Sequence, residues 1–161
     1  MRECWKALKK LSYGVYVVSA VRGEGDSREM NAMTVRMMTQ VSTRPPRVAL
    51  TIAKSRRTHE FLQESGKFAV SILAEKQELL GGHFGLQSGR KHNKFIGLNY
   101  ITAQTGAPIL KECCAWFECE VEAAHDMGNC TLFVAQLINA GSSEALQLQE
   151  PLPYREEDYF G

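Results

Sequence analysis

Pro45 and Pro46 stand side by side between two segments rich in apolar residues, and they restrict this chain more than any other feature. Each proline fixes φ and removes a backbone donor, so the chain must turn there and cannot run through the middle of a sheet. The segment before them, residues 32–43, mixes Met, Thr and Val with a single charge, Arg36. That composition suits neither a solvated loop nor a simple alternating strand. The segment after them, residues 47–54, is a β-branched run of strand length. It leads directly into Ser55, Arg56, Arg57 and Thr58, hydroxyl and guanidinium groups of the kind that receive a phosphate. The stretch 31–55 is therefore the expected organiser of the chain.

The remainder reads mainly as antiparallel β. From Ala115, the residues Phe117, Cys119, Val121 and Ala123 alternate with Trp116, Glu118, Glu120 and Glu122, which predicts a half-buried strand with one core face and one acidic face. A turn over 126–129 and a strand over 130–140 complete a hairpin. Further strands are predicted over 13–21, 67–73 and 98–103, with a turn cluster at 23–27 returning the first as a hairpin. Three helices are predicted: 3–11, whose Trp5, Leu8 and Leu11 edge would cap the barrel; 55–65, ended by Gly66; and 75–84, weakened by Gly81 and Gly82. Residues 85–97 form a basic, glycine-containing loop expected to be mobile and near a ligand. Many antiparallel strands with a few helices between them indicate a mostly β fold, a closed barrel with added helices.

A chain of 161 residues with 44% hydrophobic content can bury one proper core and is too short to expect two. With no repeat or linker, 1–161 is expected to be a single domain. Nineteen basic against eighteen acidic residues leave no net field favouring nucleic acid or an anionic membrane as the main partner. No apolar stretch reaches bilayer length and no secretory pattern opens the chain, so the expected location is the cytoplasm. The cysteines are Cys4, Cys113, Cys114, Cys119 and Cys130, an odd total without a C-x-x-C pair. They read as reduced, mostly buried thiols, with neither a disulfide framework nor a metal site. The neighbours Cys113 and Cys114 read as packing.

Several short motifs occur in a recognisable order: Tyr-Gly-Val-Tyr-Val-Val-Ser at 13–19, Val-Ser-x-x-Pro-Pro at 41–46, Ser-Gly-Lys-Phe-Ala-Val-Ser-Ile-Leu at 65–73, Lys94-Phe95, Gly-Asn-Cys-Thr-Leu-Phe-Val at 128–134 and Pro-Leu-Pro-Tyr at 151–154. In order and spacing the chain resembles, over nearly its whole length, the flavin reductase-like, FMN-binding split-barrel family, which includes flavoredoxin and ferric reductase-like members. The resemblance implies an antiparallel split β-barrel, a homodimer with the site at its interface, and bound FMN. By the same resemblance, Thr34, Val35, Arg36 and Met37 would lie along the flavin ring. Thr51, Ile52 and Ala53 would meet it from the following strand, and Arg57 and Thr58 would hold the phosphate. Phe84 and Lys94 map onto a second contact region, where Lys94 would meet the phosphate of the cofactor or of a nicotinamide nucleotide. Arg36 and Met37 stand where many relatives carry Asn and Ser, a change that backbone contacts would survive. Cys130 is the candidate catalytic residue, standing where many relatives have the His of a Gly-Asp-His motif. A thiol cannot act as the cationic donor that His can be, yet it can meet a metal, a sulfur substrate or the flavin.

Each of these assignments has a plainer competitor. The Met-rich run also reads as adaptable core filler, Arg56 to Thr58 as a solvated helix start, His92 and its neighbours as a basic surface loop, and Cys130 as an inert strand residue. The activity implied is FMN-dependent oxidoreduction: NADH or NADPH donates, and a second flavin, ferric iron or a protein accepts. The alternatives are an FMN-bound electron carrier reduced by a redox protein, and a non-catalytic split-barrel binding module.

Overall fold

In the computed structural model, which describes residues 1–160 and only the backbone at Phe160, the strands in chain order are β1 (Tyr16–Arg22), β2 (Glu29–Val35), β3 (Met38–Thr43), β4 (Pro46–Ala53), β5 (Lys67–Ile72), β6 (Tyr100–Thr102), β7 (Pro108–Leu110), β8 (Ala115–Asp126) and β9 (Cys130–Gly141). Seven of them form one antiparallel sheet in the order β2-β1-β5-β8-β9-β4-β3, and β6 pairs with β7 in a separate ribbon. The 32–43 segment fits neither simple category because it is two strands with a break at Arg36 and Met37. The prolines make the β3–β4 turn, with a cis Arg44–Pro45 bond. Pro46 opens β4 opposite Thr43, where a missing donor is tolerated. β2 and β3 are the outer strands of the sheet. One core cluster nevertheless joins Val35 of β2, Val18 of β1, Leu50 and Ile52 of β4 and Phe133 of β9.

The helices are α1 (Arg2–Leu8), α2 (Arg57–Ser65), α3 (Glu78–Leu86) and α4 (Glu157–Phe160). α2 buries Phe61 and Leu62 and ends at Gly66, whose φ of 63° is the left-handed conformation that a residue without a Cβ adopts cheaply. α3 begins and ends later than expected, and Thr34 Oγ1 donates to the Gly81 carbonyl at 2.6 Å, pinning the glycine-weakened helix to β2. The capping role expected of the amino-terminal helix is not observed. α1 buries nothing, and Trp5, Leu8 and Leu11 remain 65%, 51% and 54% exposed. Residues 151–154 cover the start of β1 instead. Val15 N donates to Leu152 O, Leu152 N to Leu73 O and Tyr154 N to Tyr13 O.

The alternating strand needs one correction. Glu120 and Glu122 face outward, but Glu118 is fully buried at a bulge in the β8–β9 ladder. Its carboxylate accepts from Gln104 N at 3.0 Å, Thr105 N at 2.8 Å, Thr105 Oγ1 at 2.6 Å and Asn139 Nδ2 at 2.8 Å. Burial opposes its ionisation, yet these donors outweigh it and hold the carboxyl below the usual range. Cys113 and Cys119 are buried, and burial pushes their thiols up to about 11 and about 12 respectively. Among the described residues no helix is long and apolar enough to cross a membrane, and no three metal-binding side chains gather.

Candidate functional site

The break between β2 and β3 opens one wall of a cleft of about 230 Å³. Met33 to Met37 form that wall, Thr51 and Ala53 of β4 form the floor, and Cys130, paired opposite Ala53 at the start of β9, sits at its edge. Gly85 and Leu86 at the end of α3 bound the other side, and Tyr154 and Tyr159 close one end. Alternation along β4 explains why Thr51 and Ala53 reach the cleft while Ile52 does not. The Ile52 side chain points into the core, which departs from the expectation that all three meet a ligand.

A second, more polar recess of about 90 Å³ continues from the cleft, sharing Met33, Thr34, Arg56 and Gly85 with it. It lies at the start of α2, where backbone N–H groups lack helical partners and favour an anion. Thr58 is buried in its floor, its Oγ1 accepting from Asn31 Nδ2 at 2.9 Å. A Cβ at Gly89 would meet the Asn31 carboxamide, so any larger residue there requires that side chain to shift. Arg57 lines the recess but is already committed: its guanidinium donates to Gly89 O at 2.6 Å and Glu29 Oε2 at 2.9 Å. Arg56 has no ion pair among the described residues and borders both cavities. The two adjacent arginines differ because Arg56 is the N-cap of α2 whereas Arg57 begins its first turn.

Lys94 is 5% exposed, not a solvated loop residue. Its Nζ donates to Ala32 O at 2.9 Å and Phe84 O at 2.8 Å, joining β2 to α3, and its third N–H is left for the recess it lines. Burial, with the Arg56 charge second, pushes its ammonium down to about 8. The Phe84 ring is fully buried against Phe95, so this residue borders the recess from the core. Lys91 and His92 are exposed and outside both cavities.

A sequence model of the flavin reductase like domain matches residues 8–161. The chain belongs to the flavin reductase like family. It is 35% identical over 156 residues to the NADH-dependent flavin reductase StyB of Pseudomonas fluorescens, covering 97% of this chain and 86% of StyB. It is also 35% identical over 152 residues to a high molecular weight rubredoxin of Moorella thermoacetica, covering 92% of this chain but only 63% of that longer protein. Among solved structures, the NADH:FAD oxidoreductase SgcE6 of Streptomyces globisporus C-1027 superposes with a TM-score of 0.83 at 26% identity, covering 95% of this chain and 87% of SgcE6. The architecture of a mostly β antiparallel sheet with a few helices is thus that of the flavin reductase like family.

Within this family frame, Thr34, Val35, Arg36, Met37, Thr51, Ala53 and Cys130 converge on the cleft, and Arg57, Thr58, Phe84 and Lys94 on the recess. Sequence reasoning did not assign Tyr154 or Tyr159 to the site. Their rings stack 5.6 Å apart at 3° between planes. Tyr154 lies in the Pro-Leu-Pro-Tyr motif, which was a usable signal. Tyr159 had none, since only the return of the chain past β1 brings it to the cleft.

Proposed function

We propose that this chain is an FMN-dependent oxidoreductase that uses NADH or NADPH to reduce a free flavin, or ferric iron. The observation that carries the reading is the continuity of an apolar cleft with a small cationic recess, a shape and polarity suited to a tricyclic ring bearing one phosphate. The residues present fit FMN: Arg56 and the third donor of Lys94 would hold the phosphate at the start of α2, with the Thr58 hydroxyl below them. Thr34, Thr51 and Ala53 would bound the ring. Bound FMN would supply the two-electron chemistry, taking hydride from the nicotinamide and passing electrons to the acceptor. The protein's own part is to orient the ring, keep water from its buried face and leave the other face open.

Cys130 favours a second reading. A thiol stands at the cleft edge where many family members carry His, so a carrier reduced by a redox protein remains the main competitor. The longer rubredoxin relative supports the same idea. For the quaternary state, the exposed Trp5, Leu8 and Leu11 edge supports a homodimer, whose second copy would also cover part of the barrel surface. One domain over residues 1–161 and a cytoplasmic location are part of the proposal.

The visible spectrum of purified protein loaded with FMN, followed anaerobically after adding NADH or NADPH, tests the two readings. Rapid bleaching of the flavin band is the expected result. A band that bleaches only with a chemical reductant favours the carrier, and failure to retain FMN overturns both.

A further inference from the structure

Arg36 stands where the cleft opens into a second, larger groove, and it lines both. Its guanidinium lies between two aromatic faces, 5.1 Å from the Tyr13 ring centroid and 4.7 Å from that of Tyr154. It forms no ion pair among the described residues. The groove beyond is bounded by the Trp5, Leu8 and Leu11 edge on which the second copy of the proposed homodimer would sit, and it carries Lys9, Arg155, Glu156 and Glu157, of which Lys9 and Glu156 neutralise each other at 3.0 Å. The tyrosines fix the plane of the guanidinium while its N–H edge stays free, an arrangement prepared for a planar or tetrahedral oxyanion.

The two unpaired guanidinium groups of the cleft lie in different places. Arg56 borders the recess that one phosphate would fill, and Arg36 borders the exit on the Tyr154 side. A ring bound in the cleft with its phosphate in the recess lies beside Arg36 but leaves its guanidinium without a charged partner. A second nucleotide laid against the ring and longer than the cleft would reach the adjoining groove beside Arg36, Met37 and Tyr154, which line both.

We propose that Arg36 is a specificity-determining residue that binds the phosphoryl oxygens of the second nucleotide substrate. This rests on the flavin reading above. Two substrates carry that chemistry: the diphosphate of a nicotinamide dinucleotide donor and the phosphate of an acceptor FMN.

The test compares wild type, Arg36→Lys and Arg36→Gln, all loaded with FMN, using ligand pairs that differ in phosphate. The donors are reduced nicotinamide mononucleotide and reduced nicotinamide riboside, and the acceptors are FMN and riboflavin. Loss of a charge-assisted contact predicts that Arg36→Gln raises the KM of the phosphate-bearing member roughly 10- to 100-fold more than that of its phosphate-free counterpart, a difference partly rescued by Arg36→Lys. A split in the donor pair assigns the diphosphate to Arg36, and a split in the acceptor pair assigns the flavin phosphate. Calorimetric titration with ADP-ribose and with FMN beyond the first equivalent reads the same loss without turnover. Equal changes within both pairs, or a lowered Tm with unchanged KM ratios, overturn the proposal and leave Arg36 as a strut between Tyr13 and Tyr154. Wild-type protein that holds no FMN overturns the flavin reading as well, which separates the two failures.

Discussion

Lys94 joins both walls of the candidate site through one ammonium group. From the sequence it is one of several basic residues in a glycine-containing loop, and only its side-chain contacts distinguish it from the exposed Lys91. Its pKa is lowered from 10.5 to about 8, so between those values the unfolded chain binds more of this proton than the folded one. The contribution of Lys94 to stability therefore rises with pH across that window, while its value as a phosphate donor falls as pH passes about 8. Lys94→Met is expected to abolish both slopes, as read by urea denaturation and FMN titration on either side of the window. The variant also leaves the Ala32 and Phe84 carbonyls without their donor, a cost of about 1–3 kcal/mol. An FMN affinity in wild type that does not change through pH 8 would remove Lys94 from the phosphate site.

At the scale of the element, β8 is where a clear pattern misled. Strict alternation placed Glu118 on a solvated acidic face with Glu120, but a bulge and donors from residues 104 and 105 and from Asn139 draw it inside. Those donors come from another loop and another strand, so nothing local to β8 announces them. Glu118 ties the turn between β6 and β7 to the main sheet. Glu118→Gln presents an NH₂ group to N–H donors and is expected to cost about 2–3 kcal/mol in chemical denaturation. Because its folded pKa lies below 4.5, the stability it adds is present above that pH and is lost as pH falls through the folded value. Acid unfolding of the variant should accordingly be less steep; an unchanged acid limb would mean that the carboxylate is not ionised in the fold. By contrast α2 was legible almost to the residue, because Gly66 marks its end and Phe61 and Leu62 its buried face.

Across the whole molecule, a single chain leaves the apolar edge of Trp5, Leu8 and Leu11 in water. Static light scattering at micromolar concentration is expected to give the mass of two chains, and Trp5→Glu with Leu8→Glu to shift it toward one. A wild-type mass of one chain removes the dimer from the proposal. The double proline, the β-branched runs and the glycine turns act through backbone conformation within a few residues, which is why strand and turn positions could be read from the sequence alone. The ordered motifs likewise identified the family and most of the cleft. What the sequence could not decide is which of two neighbouring groups faces the site. Arg56 or Arg57, Ile52 or its flanking Thr51 and Ala53, and the reach of Tyr159 all depend on how α2, β4 and the 151–160 segment meet across the sheet. Those meetings are set by contacts between residues far apart in the chain, and the tertiary structure alone determines them.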